Sequence, residues 1–167
     1  MYDARTLAAE RLWAPWRIAY IRGDKPDECI FCAKPELDDE AALIVRRGER
    51  CFVMLNGYPY TSGHVMIAPY LHTADLAGLD REISDELMGL TQESLRAIEA
   101  TYCPDGFNVG ANLGTVAGAG VADHVHLHVV PRWEGDTNFM PVVGEVRVLP
   151  ESLDDTHRRL KEAFASV

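Results

Sequence analysis

The chain has 167 residues, 47% hydrophobic and 25% charged, a balance that fits one self-sufficient globular domain and excludes collagen-like and disordered classes. Its formal net charge of -10 argues against a general grip on nucleic acid or anionic membrane, because both rely on clustered Lys and Arg. A small anionic ligand stays open to it, provided that backbone N–H groups and a few cations converge locally.

In chain order, Arg5 to Arg11 predicts a helical turn or two, and Leu12-Trp13-Ala14-Pro15-Trp16-Arg17 is an aromatic segment expected to pack on the body or on another subunit. We take 1–28 as an N-terminal extension and 29–167 as the domain. The early residues carry mixed charge and no apolar signal core, and no later segment reaches the length of a membrane span, so a cytoplasmic protein is expected. Leu43-Ile44-Val45 and Cys51-Phe52-Val53-Met54-Leu55 flank a charged turn and read as a β-hairpin. After the turn at Asn56-Gly57-Tyr58-Pro59, His64 to Ala68 reads as a third strand ended by Pro69.

From Asp80 to about Glu99, Ile83, Leu87, Leu90 and Ile98 keep helical spacing, with Glu82, Asp85 and Glu86 where the helix dipole favours anions. Phe107 to Ala111 and Val125 to Val130 predict two more strands, joined by the glycine-rich segment Gly114 to Gly120. Leu153, Leu160 and Phe164 predict a closing helix after Pro150. The fold class is α+β: a mostly antiparallel five-stranded sheet with flanking helices.

The strongest chemical signal is His124-Val125-His126-Leu127-His128-Val129-Val130. Side chains alternate along a strand, so the three imidazoles share one face while Val125, Leu127 and Val129 point into the core. Such a row suits two chemistries. The imidazoles either ligate a metal, or one of them attacks an electrophile while its neighbours orient it and assist the leaving group. The small residues from Asn112 to Gly120 let backbone amides approach phosphate oxygens, which favours the second. Elsewhere, Cys29-x-x-Cys32 has the spacing of two thiolates on one ion but needs two more ligands. Cys51 and Cys103 are expected to be buried small apolar residues, His64 to be buried or supporting, and His157 to face solvent.

The His-x-His-x-His-x-x run resembles the signature of the histidine-triad (HIT) family, and other segments agree in order. They are Cys29-Ile30-Phe31-Cys32, Asn56, Gly63-His64-Val65-Met66-Ile67-Ala68-Pro69, and Asn112 with the glycines that follow. The resemblance covers roughly residues 29 to 140. It implies that His126 forms a covalent nucleotidyl phosphoramidate and that His128 contacts the phosphate and assists the leaving group. His124 would fix its neighbours' tautomers or bind metal. Asn56 would contact the ribose, and Asn112 with the backbone of Gly118, Ala119 and Gly120 would hold phosphate oxygens. Zinc-bearing members of the family, like the related galactose-1-phosphate uridylyltransferases, imply a structural Zn2+ on Cys29, Cys32, His72 and His124.

Leu12 to Arg17 and His128-Val129-Val130-Pro131-Arg132-Trp133 resemble the branch containing bacterial diadenosine tetraphosphate phosphorylases, and Arg132 is a candidate to add charge for a phosphate acceptor. The pattern departs from the family at Gly120, near which many members carry Gln or Ser. The reading is therefore a hydrolase or phosphorylase of dinucleoside polyphosphates. Its alternatives are a hydrolase of nucleoside phosphoramidates, a nucleotidyl transferase, a metal-dependent hydrolase with His124, His126 and His128 as ligands, or a non-catalytic nucleotide-binding module. The expected partner is a small nucleotide, not nucleic acid or membrane, and the family's usual assembly implies a homodimer or a pair of dimers.

Overall fold

Strict alternation in two central strands decides which side of the sheet does what. The computed structural model describes residues 28–136 and 150–167, so the helical turn expected at Arg5 to Arg11 and the aromatic segment Leu12 to Arg17 lie outside the described residues. In chain order the elements are α1 (Ile30–Ala33), a 3-10 turn (Lys34–Glu36), α2 (Asp39–Ala42), β1 (Ile44–Arg47), β2 (Cys51–Leu55), β3 (Val65–Pro69), α3 (Arg81–Tyr102), β4 (Gly106–Gly110), a 3-10 turn (Thr115–Ala117), β5 (Leu127–Arg132) and α4 (Leu153–Phe164). The five strands form one sheet in the order β1-β2-β3-β5-β4, and every neighbouring pair is antiparallel. Hairpin, third strand, long helix, last two strands and closing helix all stand where the sequence puts them, within a few residues.

In β2 and β3, Cys51, Val53, Leu55, Val65 and Ile67 face one way and join Leu87, Leu90, Ile98, Leu160 and Phe164 in the main core under α3 and α4. Phe52, Met54, Met66 and Ala68 face the other way, against Phe31, Ala42 and Ile44. Each fully buried aliphatic side chain stabilises the fold by about 1.5–3 kcal/mol. Helix α3 also buries Thr91 and Ser94, whose hydroxyls donate to the carbonyls of Leu87 (2.8 Å) and Leu90 (2.7 Å) and so carry no unmet bond into the core. It ends at Cys103, which adopts left-handed φ 45°, ahead of Pro104.

Two expectations fail on helical faces. Cys103 is exposed, because it caps α3 off its buried face, whereas Cys51 is buried as expected and burial pushes its thiol up to about 12. His157, expected in solvent, is buried. It lies three residues before Leu160 and seven before Phe164, on the face that α4 turns to the sheet, and its Nε2–H donates to the Ile44 carbonyl at 2.8 Å. That bond occupies an outward carbonyl of edge strand β1. At the opposite edge β4 pairs with β5 on one side, and Val109 is exposed.

Helices α3 and α4 are tied through Glu151. It accepts from the Tyr102 hydroxyl (2.5 Å) and from Arg159 (2.8 Å), whose other nitrogen donates to the Thr101 carbonyl (2.9 Å). Burial pushes the Glu151 carboxyl up, but the bonds from Tyr102, Arg159 and Thr156 outweigh it and hold it below the ordinary value of 4.5. A depressed carboxylate contributes stability above its unfolded pKa and loses it as pH falls through the folded one. Glu151→Gln should therefore cost about 1–2 kcal/mol at pH 7 by urea unfolding, with the gap from wild type closing once the medium is more acidic than the folded pKa.

Candidate active site and metal centre

The site occupies the face of the sheet opposite α3 and α4, and two neighbouring chain segments build it. Pairing of β3 with β5 sets Met66 opposite His128 and Ile67 opposite Leu127. Beyond the ladder the two chains stay together: the Val125 N–H donates to the Thr73 carbonyl at 2.7 Å, and the His124 Nε2–H donates to the Pro69 carbonyl at 2.9 Å. Regular strand begins only at Leu127, so His124 and His126 stand on the irregular lead-in to β5. The alternation nevertheless holds in β5, where Val129 is in the main core and Leu127 packs against it, and Val125 is buried too.

The bond to Pro69 fixes the tautomer of His124, leaving Nδ1 as its lone-pair nitrogen. That nitrogen lies 3.4 Å from Cys29 Sγ, 3.7 Å from Cys32 Sγ and 3.3 Å from His72 Nδ1, and Cys32 Sγ lies 3.3 Å from His72 Nδ1. One ligand atom from each of Cys29, Cys32, His72 and His124 falls within 4.8 Å of all the others. A tetrahedral zinc, with sulfur at about 2.3 Å and nitrogen at about 2.0–2.1 Å, spaces nitrogen from nitrogen by roughly 3.3–3.4 Å and nitrogen from sulfur by roughly 3.5–3.6 Å. Two thiols and two imidazole nitrogens converging at these spacings would repel as thiolates and lone pairs, and a cation among them resolves the conflict. The four residues therefore fit a metal ion. Since the Cys29 and Cys32 turn has no histidine of its own, the ion would join α1, the segment after β3 and the lead-in to β5.

The backbone of His124 acts on its neighbour. The His126 Nδ1–H donates to the His124 carbonyl at 2.8 Å, which leaves Nε2 as the nucleophilic nitrogen. Burial pushes the His126 imidazole below the ordinary histidine value, only partly offset by that bond, so the ring is neutral at pH 7. The His126 and His128 rings meet edge to face with centroids 4.9 Å apart. Behind them, the Tyr60 backbone N–H donates to His64 Nδ1 at 3.1 Å, which puts the His64 proton on Nε2, 3.0 Å from His128 Nδ1. By the same logic His128 carries its own proton on Nε2. His126 and His128 stand outside the one metal-ligand group found among the described residues, so a single ion held by all three triad histidines does not match the geometry.

Other candidates sit as follows. Asn56 follows β2; its Oδ1 accepts from the Tyr58 N–H at 2.9 Å, and its amide nitrogen is 3.5 Å from His64 Nδ1. Asn112 is half-buried at the exit of β4. In the glycine loop, the Gly118 N–H donates to the Thr115 carbonyl at 3.0 Å and the Ala119 N–H approaches the Gly114 carbonyl at 3.4 Å, while Gly118 takes φ 87°, a conformation suited to glycine. Arg132 is not the charge expected for a phosphate acceptor. Asp136 binds its guanidinium through two bonds of 2.5 and 2.7 Å, and Asn108 accepts a third at 2.9 Å. His64 is buried and supporting, as expected, and the structure names His128 as what it supports; Phe31, whose ring lies 4.6 Å from that of His126, escaped the sequence reading. Phe31 stands inside the Cys-x-x-Cys motif, which was the signal available.

Comparison with known proteins agrees with this geometry. The HIT domain model matches residues 38–135. A Mycobacterium tuberculosis protein named AP-4-A phosphorylase is 42% identical over 165 residues, covering 93% of this chain and 85% of that protein. A zinc-bound histidine triad protein from Mycobacterium smegmatis is 30% identical, with a TM-score of 0.65 over 83% of this chain and 94% of that one. Diadenosine triphosphate hydrolase from Plasmodium falciparum shares the fold, with a TM-score of 0.59 at 18% identity over 78% of each chain. With more than half of its length matched by the family model, and with both the triad and its supporting histidine in place, this chain belongs to the HIT family.

Proposed function

We propose that the protein is an enzyme that cleaves dinucleoside polyphosphates such as diadenosine tetraphosphate, and that it works through a covalent nucleotidyl-His126. The observation that carries this reading is the His126 Nδ1–H bond to the His124 carbonyl, which leaves Nε2 as a neutral, lone-pair nitrogen. Support also comes from the 42% identity to a protein named for this activity. In the first step His126 Nε2 attacks the α-phosphorus and ATP departs, its leaving oxygen taking a hydrogen bond or proton from His128 Nε2–H. In the second, inorganic phosphate attacks the AMP on His126 and leaves as ADP, and the histidine is restored. Asn56 is proposed to meet the ribose. Asn112 and the amides of Gly118, Ala119 and Gly120 are proposed to meet phosphate oxygens, the first two amides in exchange for their bonds within the loop.

We assign a structural zinc to Cys29, Cys32, His72 and His124, a reading supported by the ligand spacing and by the zinc-bound relative. When bound, it would fix the lead-in to β5 and keep the Cys29 turn in place. We propose a cytoplasmic setting, which suits a zinc held by the thiolates of Cys29 and Cys32; no helix among the described residues is long and apolar enough to cross a membrane. A homodimer joined through the β4 edge, alone or in pairs, is the assembly we propose, since closed two-fold pairing satisfies an exposed strand edge.

His126→Ala should fold normally and lose at least about a thousandfold in turnover of diadenosine tetraphosphate. With millimolar phosphate, wild-type protein should yield ADP and ATP by chromatography; AMP and ATP alone would leave a hydrolase instead. Metal analysis should find one zinc per chain in wild type and none in Cys29→Ser/Cys32→Ser, which should also melt at a lower temperature. Light scattering should give at least twice the monomer mass, and a monomer at micromolar concentration would contradict the assembly.

A further inference from the structure

The turn that brings Cys29 and Cys32 together also carries Phe31, which the chemistry above leaves without a role. Its side chain is 0% exposed. The ring centroid lies 4.6 Å from that of His126 with the planes 32° apart, and 5.2 Å from that of His124. His128 meets His126 edge-on, with ring planes 78° apart. The nucleophile is thus packed by two rings and held by one hydrogen bond through Nδ1.

Rotation of an imidazole about its Cβ–Cγ bond lies in a broad well, so one bond at Nδ1 leaves the ring room to rock and Nε2 room to swing. A flat ring at near-stacking distance takes that freedom away. What places Phe31 is in turn the chain around it. Helix α1 has only four residues, its N-cap Cys29 makes no side-chain capping bond, and a helix so short is marginal by itself. Both residues that flank Ile30 and Phe31 belong to the metal-ligand group.

We propose that Phe31 is a positioning residue, through which the metal-held turn sets the orientation of the His126 imidazole. The proposal rests on His126 being the nucleophile. It gives the metal centre two routes to the reacting nitrogen: the backbone carbonyl of His124, and the ring of Phe31. Core filling alone predicts that Phe31 matters for stability and nothing else. Direct contact with the nucleoside predicts weaker substrate binding.

The test uses Phe31→Leu in the zinc-loaded protein, with three measurements. These are zinc content, the KM and single-turnover rate of nucleotidyl-His126 formation from diadenosine tetraphosphate, and the His126 ring-proton resonances of the resting protein by NMR. The variant should keep its zinc, and KM should hold while the single-turnover rate falls about tenfold to a hundredfold. The His126 resonances should move toward their random-coil positions as the neighbouring ring current is lost. Wild-type protein stripped of zinc should show the same displacement, a comparison that does not depend on the variant folding. An unchanged rate with raised KM, loss of zinc from Phe31→Leu, or His126 resonances unmoved in both proteins would overturn the proposal. If wild type forms no nucleotidyl-histidine, the functional reading fails, and the NMR comparison still tests whether the metal holds the Phe31 ring against His126.

Discussion

His124 is engaged on three sides, and the rest of the site depends on how those engagements divide. Its Nε2–H is held by the Pro69 carbonyl, its Nδ1 faces two sulfurs and a second imidazole, and its own carbonyl accepts from His126. Because the ring can present one lone pair and one proton, the Pro69 bond determines which nitrogen is left to ligate. The backbone then passes order to the next histidine through the His124 carbonyl. An ion at Nδ1 would reinforce this arrangement at a distance from the reacting atom, where it stiffens the scaffold and leaves the nucleophile's own lone pair untouched.

Electrostatics set the harder problem. A chain of net charge -10 has to accept a polyanion, and the cation nearest to hand in the sequence, Arg132, is neutralised by Asp136. Among the described residues, dipoles offer a further resource: N–H groups of the glycine loop, and the Nε2–H that His64 enforces on His128. The His128 dipole is fixed before the substrate arrives and needs no reorganisation as charge builds at the leaving oxygen, whereas the Gly118 and Ala119 amides would first give up their bonds to Thr115 and Gly114.

Much of this was legible in the sequence, because the informative residues lie close together along the chain or repeat with a clear period. The triad, the Cys-x-x-Cys pair, the hairpin and both long helices announce themselves through spacing. What the sequence hid depends on contacts between distant segments. Alternation predicts that three histidines share a face, but not that His124 turns its ring away toward Cys29, 95 residues earlier. The support of His128 by His64 requires knowing that β3 lies beside β5. Arg132 was a candidate to add charge, and its pairing with Asp136 depends on the turn that follows β5. His157 is the instructive miss: its spacing from Leu160 and Phe164 already placed it on the buried face, and residue type was allowed to outweigh position.

The two faces of β2 and β3 take their residues from alternate positions of the same short strands, so every second residue answers to a different demand. One set is judged by how it fills the space under α3 and α4, the other by how it frames the imidazoles. Inheritance can therefore act on the two sets separately. A lineage can revise its choice of leaving group or acceptor through changes on one side, while the opposite side goes on securing the fold. A division of this kind offers a physical reason why a single small scaffold can carry many related chemistries.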